Sequence, residues 1–276
     1  SVVERIFLDA DPAGLGGVLS GQPAIVDSDA NGYIDRLYIG SDKGLMYKVN
    51  LPDDPESLDY GINHCVINRD TTDSLGSVVD PNWVMQPIYG SPTVVVDNDL
   101  NSDGTIAYDI RIFFGTGDSP YFDEDINTAD VRYHFYAFKD TSGKGICQEN
   151  AVYLDWFYEL PEGHRVFASA FASAGKIYFG TSTAETEDPC EAALSNDNTG
   201  GKVFAFNMDQ SMNLEATPDF VLDVGDTTVS PIIEDRHLYV NTKENGIQAY
   251  GGGKFNNKVV KGGNPQVFVR FWREIY

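Results

Sequence analysis

Nine residues near the start of the chain, DSDANGYID (27–35), carry the oxygen pattern of a calcium loop through Asp27, Asp29, Asn31, Gly32, Tyr33 and Asp35. Side-chain oxygens fall at loop positions 1, 3, 5 and 9. Glycine at 6 permits the sharp turn, and the Tyr33 carbonyl at 7 adds to the all-oxygen shell that Ca2+ takes. The flanks GQPAIV and RLYIG are apolar and strand-like, so the ion would sit in a β-hairpin and pin two strands together. Tyr38 stands where an EF-hand has its glutamate, and neither flank has helical periodicity, which sets that motif aside. The competing reading is a solvated turn, since Asp, Asn and Gly supply left-handed backbone conformations to tight hairpins. Four oxygen side chains in fixed alternation, with Asp35 already at the next strand, exceed what a turn requires.

A second acidic segment offers Asp97, Asp99, Asn101 and Asp103 before Gly104, but Ala107 occupies its ninth position and Asp109 falls two residues later. It reads equally as a weaker calcium site or a long solvated hairpin tip. The cluster Asp118, Asp123, Glu124 and Asp125 reads as a solvated loop, with Tyr121 and Phe122 as an alternative docking surface.

The elements that must hold these loops repeat. Four times a strand start rich in small residues or proline, GQPAIVD (21–27), GSPTVVVD (90–97), SAFASAG (169–175) and SPIIED (230–235), precedes an aromatic strand: RLYIG, RIFFG, KIYFG and HLYVN. A third strand follows each, GLMYKVN, YHFYAFK, GKVFAFN and NGIQAYG, and fourth positions are filled by ERIFLDA (4–10), DWFYEL (155–160), DFVLDV (219–224) and VFVRFWREI (267–275). Four-part antiparallel units of Val, Ile, Tyr and Phe are the pattern of β-propeller blades, here roughly 21–51, 90–160, 168–224 and 229–275. A β-sandwich would have no reason to repeat the same order. The fold expected is an all-β propeller of about four recognisable blades within 1–276, either one domain or the C-terminal part of a larger propeller, since ERIFLDA has no three strands before it.

Acidic residues outnumber basic ones 42 to 19, for a net charge of −23, which disfavours nucleic acid and anionic lipid as partners. There is no run of 18 apolar residues to cross a membrane as a helix, and the chain starts at Ser1 without a signal-like segment, as a mature or excised piece would. The three cysteines, Cys65, Cys147 and Cys190, form no CxxC pattern; Cys147 and Cys190, both in polar insertions, are the expected pair. His64, His134, His164 and His237 fit no metal spacing, Ser91 and Ser230 sit at strand starts and not in a GxSxG elbow, and no GxGxxG or P-loop occurs. No catalytic residue is therefore assigned.

The segments DSDANGYIDRLYIGSDKGLMYKVNL, QPIYGSPTVVVD with RIFFGTG, GHRVFASAFASAGKIYFGTSTAETEDPC and FVRFWREIY resemble the C-terminal propeller of PilY-type proteins, the type IV pilus biogenesis factors and tip-associated adhesins. The resemblance covers nearly the whole chain. It implies a secreted, pilus-associated protein exported through the periplasm, bound to minor pilins at the pilus tip and acting in adhesion and in extension against retraction. It places calcium on Asp27, Asp29, Asn31, the Tyr33 carbonyl and Asp35. Partners implied are the tip complex, an N-terminal part of the same protein, and host or abiotic surfaces. The alternative is a propeller enzyme of the quinone-dependent dehydrogenase type, or a carbohydrate- or protein-binding surface module; the enzymes usually have eight blades and often an adjacent cysteine pair, and neither is seen here.

Overall fold

The computed structural model describes residues 17–28, 31–51, 63–68, 86–100, 106–117, 132–142, 152–183, 200–210, 214–225, 230–234, 237–242 and 246–251. Among these residues all regular structure is strand, arranged in four antiparallel sheets that each follow chain order. Blade 1 is β1 (Leu19–Val26), β2 (Arg36–Ser41), β3 (Met46–Asn50) and β4 (Asn63–Val66). Blade 2 is β5 (Thr93–Leu100), β6 (Ile106–Gly115), β7 (His134–Asp140) and β8 (Val152–Glu159). Blade 3 is β9 (Phe171–Ser173), β10 (Lys176–Gly180), β11 (Lys202–Asn207) and β12 (Phe220–Asp223); blade 4 is β13 (Ile232–Glu234), β14 (His237–Thr242) and β15 (Gly246–Gly251). The first strands of successive sheets touch one another, β1 to β5, β5 to β9 and β9 to β13. Up-and-down sheets whose innermost strands line up in sequence make a β-propeller, not a sandwich.

Repeated hydrogen bonds show that the blades are equivalent. The Ile88 amide, in the segment leading into blade 2, donates to the Ser41 carbonyl of blade 1 at 3.0 Å, and the Val166 amide leading into blade 3 donates to the Thr116 carbonyl of blade 2 at 3.1 Å. The glycine just before each of these acceptors is required by the same approach. A Cβ on Gly40 would lie 2.5 Å from Ile88 Cγ2, and one on Gly115 would lie 2.4 Å from Val166 Cβ. The hydroxyl after the glycine closes the next hairpin: Ser41 Oγ accepts from the Leu45 amide at 3.1 Å, Thr116 Oγ1 from His134 at 2.9 Å and Thr181 Oγ1 from Lys202 at 3.0 Å.

Blade 2 is apolar on both faces, so its second strand reads as a continuous apolar run. Ile112 and Phe114 enter the core shared with blade 1, with Val26, Tyr38, Met46, Ile88 and Phe138. Phe113, between them, points the other way into the core with blade 3, among Phe135, Trp156, Phe179 and Phe206. Successive strand residues face opposite sides of a sheet, which is why neither face tolerates a polar alternation here. Val203, Leu222, Leu238 and Tyr250 form the corresponding core between blades 3 and 4.

The fourth strand of blade 1 is β4, inside the polar stretch 53–86, where the sequence offers no strand signal. Its four residues are too few to display an alternation. ERIFLDA (4–10) and VFVRFWREI (267–275), expected as fourth strands, lie outside the described residues. DWFYEL and DFVLDV fall on β8 and β12.

Candidate metal site at the first hairpin

The β1–β2 hairpin closes with Val26 opposite Arg36 and with the Asp35 amide donating to the Val26 carbonyl at 3.0 Å. Within the loop the Asp27 carboxylate gathers two backbone donors, Asn31 N–H at 3.1 Å on Oδ1 and Gly32 N–H at 2.7 Å on Oδ2. Asn31 Oδ1 in turn accepts from the Tyr33 amide at 2.8 Å. Gly32 has φ 92°, the left-handed turn that position 6 requires. Asp35 sits at the base of the loop, 2% exposed, and accepts from Ser28 N at 3.1 Å and from Ser28 Oγ at 2.5 Å. Asp27 and Asp35 thus flank Ser28. Asp29 lies outside the described residues.

An ionised carboxylate offers about four lone-pair directions, so the two amides on Asp27 leave room for a cation. The loop's donor set is oxygen only, which suits calcium. Asp35 could join it only by sharing the oxygens that Ser28 now holds. Among the described residues no group of three or more His, Cys, Asp or Glu side chains is placed to hold an ion. The described part of the loop contributes two carboxylates and the Asn31 amide oxygen.

In the second acidic segment the strand pairing runs on through Asp97↔Asp109, Asp99↔Ala107 and Leu100↔Ile106. Lys139 Nζ lies 2.6 Å from Asp109 Oδ2, so that carboxylate serves an ion pair within blade 2. Asn101 and Asp103, like the cluster Asp118, Asp123, Glu124 and Asp125 with Tyr121 and Phe122, lie outside the described residues.

Immediately after Asp35 the chain enters a buried polar cluster that no local motif in the sequence marks. Asp140, at the end of β7 in blade 2, receives Lys48 Nζ at 2.7 Å, Arg36 Nη1 at 3.3 Å and Tyr38 Oη at 2.7 Å from blade 1. Its other oxygen accepts from Ser142 N at 2.9 Å and Ser142 Oγ at 2.5 Å, and Arg36 Nη2 also reaches the Ser142 carbonyl at 2.9 Å. Strand geometry explains the convergence: Arg36 and Tyr38 alternate onto one face of β2, and Lys48 is the register partner of Tyr38. Arg111 holds the position of Arg36 on β6 and reaches toward blade 3, with Asp155 Oδ2 at 2.6 Å and the Met208 carbonyl at 3.0 Å.

Burial alone would raise the Asp140 carboxyl, but the Lys48 ammonium and the Ser142 and Tyr38 donors outweigh it and hold its pKa below the usual carboxylate value. Burial raises the Tyr38 phenol well above its ordinary value, and the negative Asp140 adds to the rise. The Lys48 amine is lowered, chiefly by burial, with the neighbouring Arg36 charge adding to the fall and the Asp140 carboxylate opposing it. The signal available in sequence was a lysine and an aspartate set into the apolar third strands MYKVN and HFYAFKD.

Among the histidines, His134 stacks on Tyr136 with centroids 5.5 Å apart, and His164 Nδ1 lies 2.8 Å from Thr181 Oγ1, so both belong to packing. Cys65 is disulfide-bonded. With three cysteines in the chain, this overturns the expected pairing of Cys147 with Cys190.

No family model matches the chain. No curated protein matches it either. Among solved structures it is similar to the Pseudomonas aeruginosa PilY1 C-terminal domain, at 14% identity and TM-score 0.44, over 86% of this chain and 60% of that one. It is also similar to BamB from Moraxella catarrhalis, at 12% identity and TM-score 0.41, over 85% of this chain and 47% of that one. The chain therefore spans less than two thirds of either structure.

Proposed function

We propose that this chain is a non-enzymatic, calcium-stapled propeller module of a type IV pilus tip or assembly protein, working outside the cell. The observation that carries the reading is the closed 27–35 loop, in which Asp27 gathers the Asn31 and Gly32 amides while Asp35 is anchored beneath it on Ser28. Bound calcium would offset the mutual repulsion of Asp27, Asp29 and Asp35. The chain's own part is to present those oxygens from a hairpin whose base is locked to blade 2 through Arg36, so that the surrounding face is held in one shape for a partner. The sequence resemblance to PilY-type propellers supplies the partner class: minor pilins of the tip complex, with adhesion and the balance of extension and retraction as the process served.

The test is capture of purified minor pilins on the immobilised chain, with calcium and with chelator. Calcium-dependent capture supports the reading; equal absence of capture in both conditions counts against the pilin partner while leaving metal binding to be judged by calorimetry.

A further inference from the structure

We infer that Ser28 is the positioning residue of the first hairpin: its hydroxyl fixes the direction of the Asp35 carboxylate and so sets how tightly calcium is held. The inference rests on the calcium reading of that hairpin proposed above.

The backbone of Asp35 is fixed from both sides. Its amide donates to the Val26 carbonyl at 3.0 Å, and its carbonyl accepts from the Leu51 amide at 2.8 Å. Arg36, the next residue, is tied to Asp140 of blade 2. The side-chain torsions of Asp35 therefore decide where its oxygens point, and a buried carboxylate turns toward its donors. Ser28 supplies two of these donors. Its amide straddles the carboxylate, 3.1 Å from Oδ1 and 3.2 Å from Oδ2, while its hydroxyl donates to Oδ2 at 2.5 Å. Both residues are buried, Ser28 at 3% exposure and Asp35 at 2%.

The hairpin itself does not need this hydroxyl. It is closed by the Asp35 amide on Val26 and by the Asn31 and Gly32 amides on Asp27, and none of these bonds uses Ser28 Oγ. The Ser28 amide would survive substitution, so the hydroxyl is what serine in particular contributes. A hydrogen bond to a carboxylate is charge-assisted and strong, and it narrows the arc through which the group can swing. Each carboxylate oxygen has two lone pairs, so one that accepts a hydroxyl can also face a cation. An ion then meets a carboxylate already aimed, without the entropy loss of ordering it. Removing a hydrogen bond that orients a metal ligand in this way typically costs about 10–100-fold in affinity.

Calorimetric calcium titration of the full chain and of Ser28→Ala, with melting in calcium and in chelator, tests the assignment. Ser28→Ala should bind calcium about 10-fold more weakly or worse, and Ser28→Thr, which keeps the hydroxyl, should recover most of the affinity. Terbium placed in the loop instead of calcium should carry more coordinated water in Ser28→Ala than in the parent, read from luminescence lifetimes in H2O and D2O, because Asp35 is no longer aimed at the ion. A hydroxyl that served only the fold would lower the melting temperature of Ser28→Ala equally in calcium and in chelator and leave the dissociation constant unchanged; that result overturns the inference while the calcium reading stands. A parent chain that binds no calcium overturns both. If Ser28→Ala fails to fold, Ser28→Cys, with a weaker donor of similar size, takes its place with the same expected direction.

Discussion

Lys48 Nζ and Asp140 Oδ2 lie 2.7 Å apart, on different blades, with both side chains fully buried. One carboxylate there answers two cations and a phenol, so its removal would strand Lys48 and Arg36 without water. Losing one member of a buried ion pair costs about 3–5 kcal/mol. Asp140→Asn should therefore lower unfolding free energy by about that amount in a urea titration, and Tyr38→Phe by about 1 kcal/mol, the worth of one hydrogen bond. An Asp140→Asn variant as stable as the parent would show that the cluster contributes nothing at this interface.

The same carboxylate sets a pH window. Its folded pKa is below the unfolded value of 3.8, so the stability it contributes is fully present above that value and is lost as pH falls through the folded pKa. The stability gap between parent and Asp140→Asn should be constant from pH 7 to about pH 5 and narrow below about pH 4. Lys48 has the same sign in a higher window: its lowered pKa makes stability rise as pH climbs through the folded value toward the ordinary lysine range. Urea midpoints across pH 3–7 check the first statement, and a gap that widens toward acid contradicts it.

Gly40 and Gly115 are expected to be intolerant. A Cβ at Gly115 meets three Val166 atoms within 2.4–2.7 Å, in a segment pinned by the Val166–Thr116 backbone bond. Overpacking of this kind typically costs about 1–3 kcal/mol, so Gly40→Ala and Gly115→Ala should each lower thermal stability, while Gly163→Ala, which meets nothing within 4 Å but has φ 74°, pays only its backbone strain. Melting curves of the three variants rank them.

Ala174 is a non-glycine residue with φ 50°, paired with Gly175 at 77° in the β9–β10 hairpin. Two successive positive angles are what a tight hairpin turn of the right twist needs. The left-handed conformation costs an ordinary L residue about 1 kcal/mol, so Ala174→Gly should raise stability by up to about that amount less glycine's extra chain entropy. A clear loss of stability on calorimetric melting would contradict the turn.

The blade repeat is legible in the sequence because its second strands, RLYIG, RIFFG, KIYFG and HLYVN, fall on β2, β6, β10 and β14, the first three buried on both faces and the last burying Leu238 and Val240 on one. The calcium-type loop is legible because its residues are neighbours in the chain. What stays hidden is long-range or too short. Tyr38 and Asp140 are 102 residues apart, and nothing local in KVN or FKD says that the Lys48 and Asp140 charges are buried together. β4, at four residues, lacks the length for a period, and Cys65 within it carried no sign of its bond.

Calcium titration by calorimetry, paired with melting in calcium and in chelator for the parent and for Asp27→Ala, tests the central claim most directly. Stoichiometric binding that raises the parent's melting temperature, and a variant that melts lower than the parent only when calcium is present, is the expected result. Identical melting of parent and variant in both conditions, with no heat of binding, would contradict it and leave 27–35 a hydrogen-bonded turn.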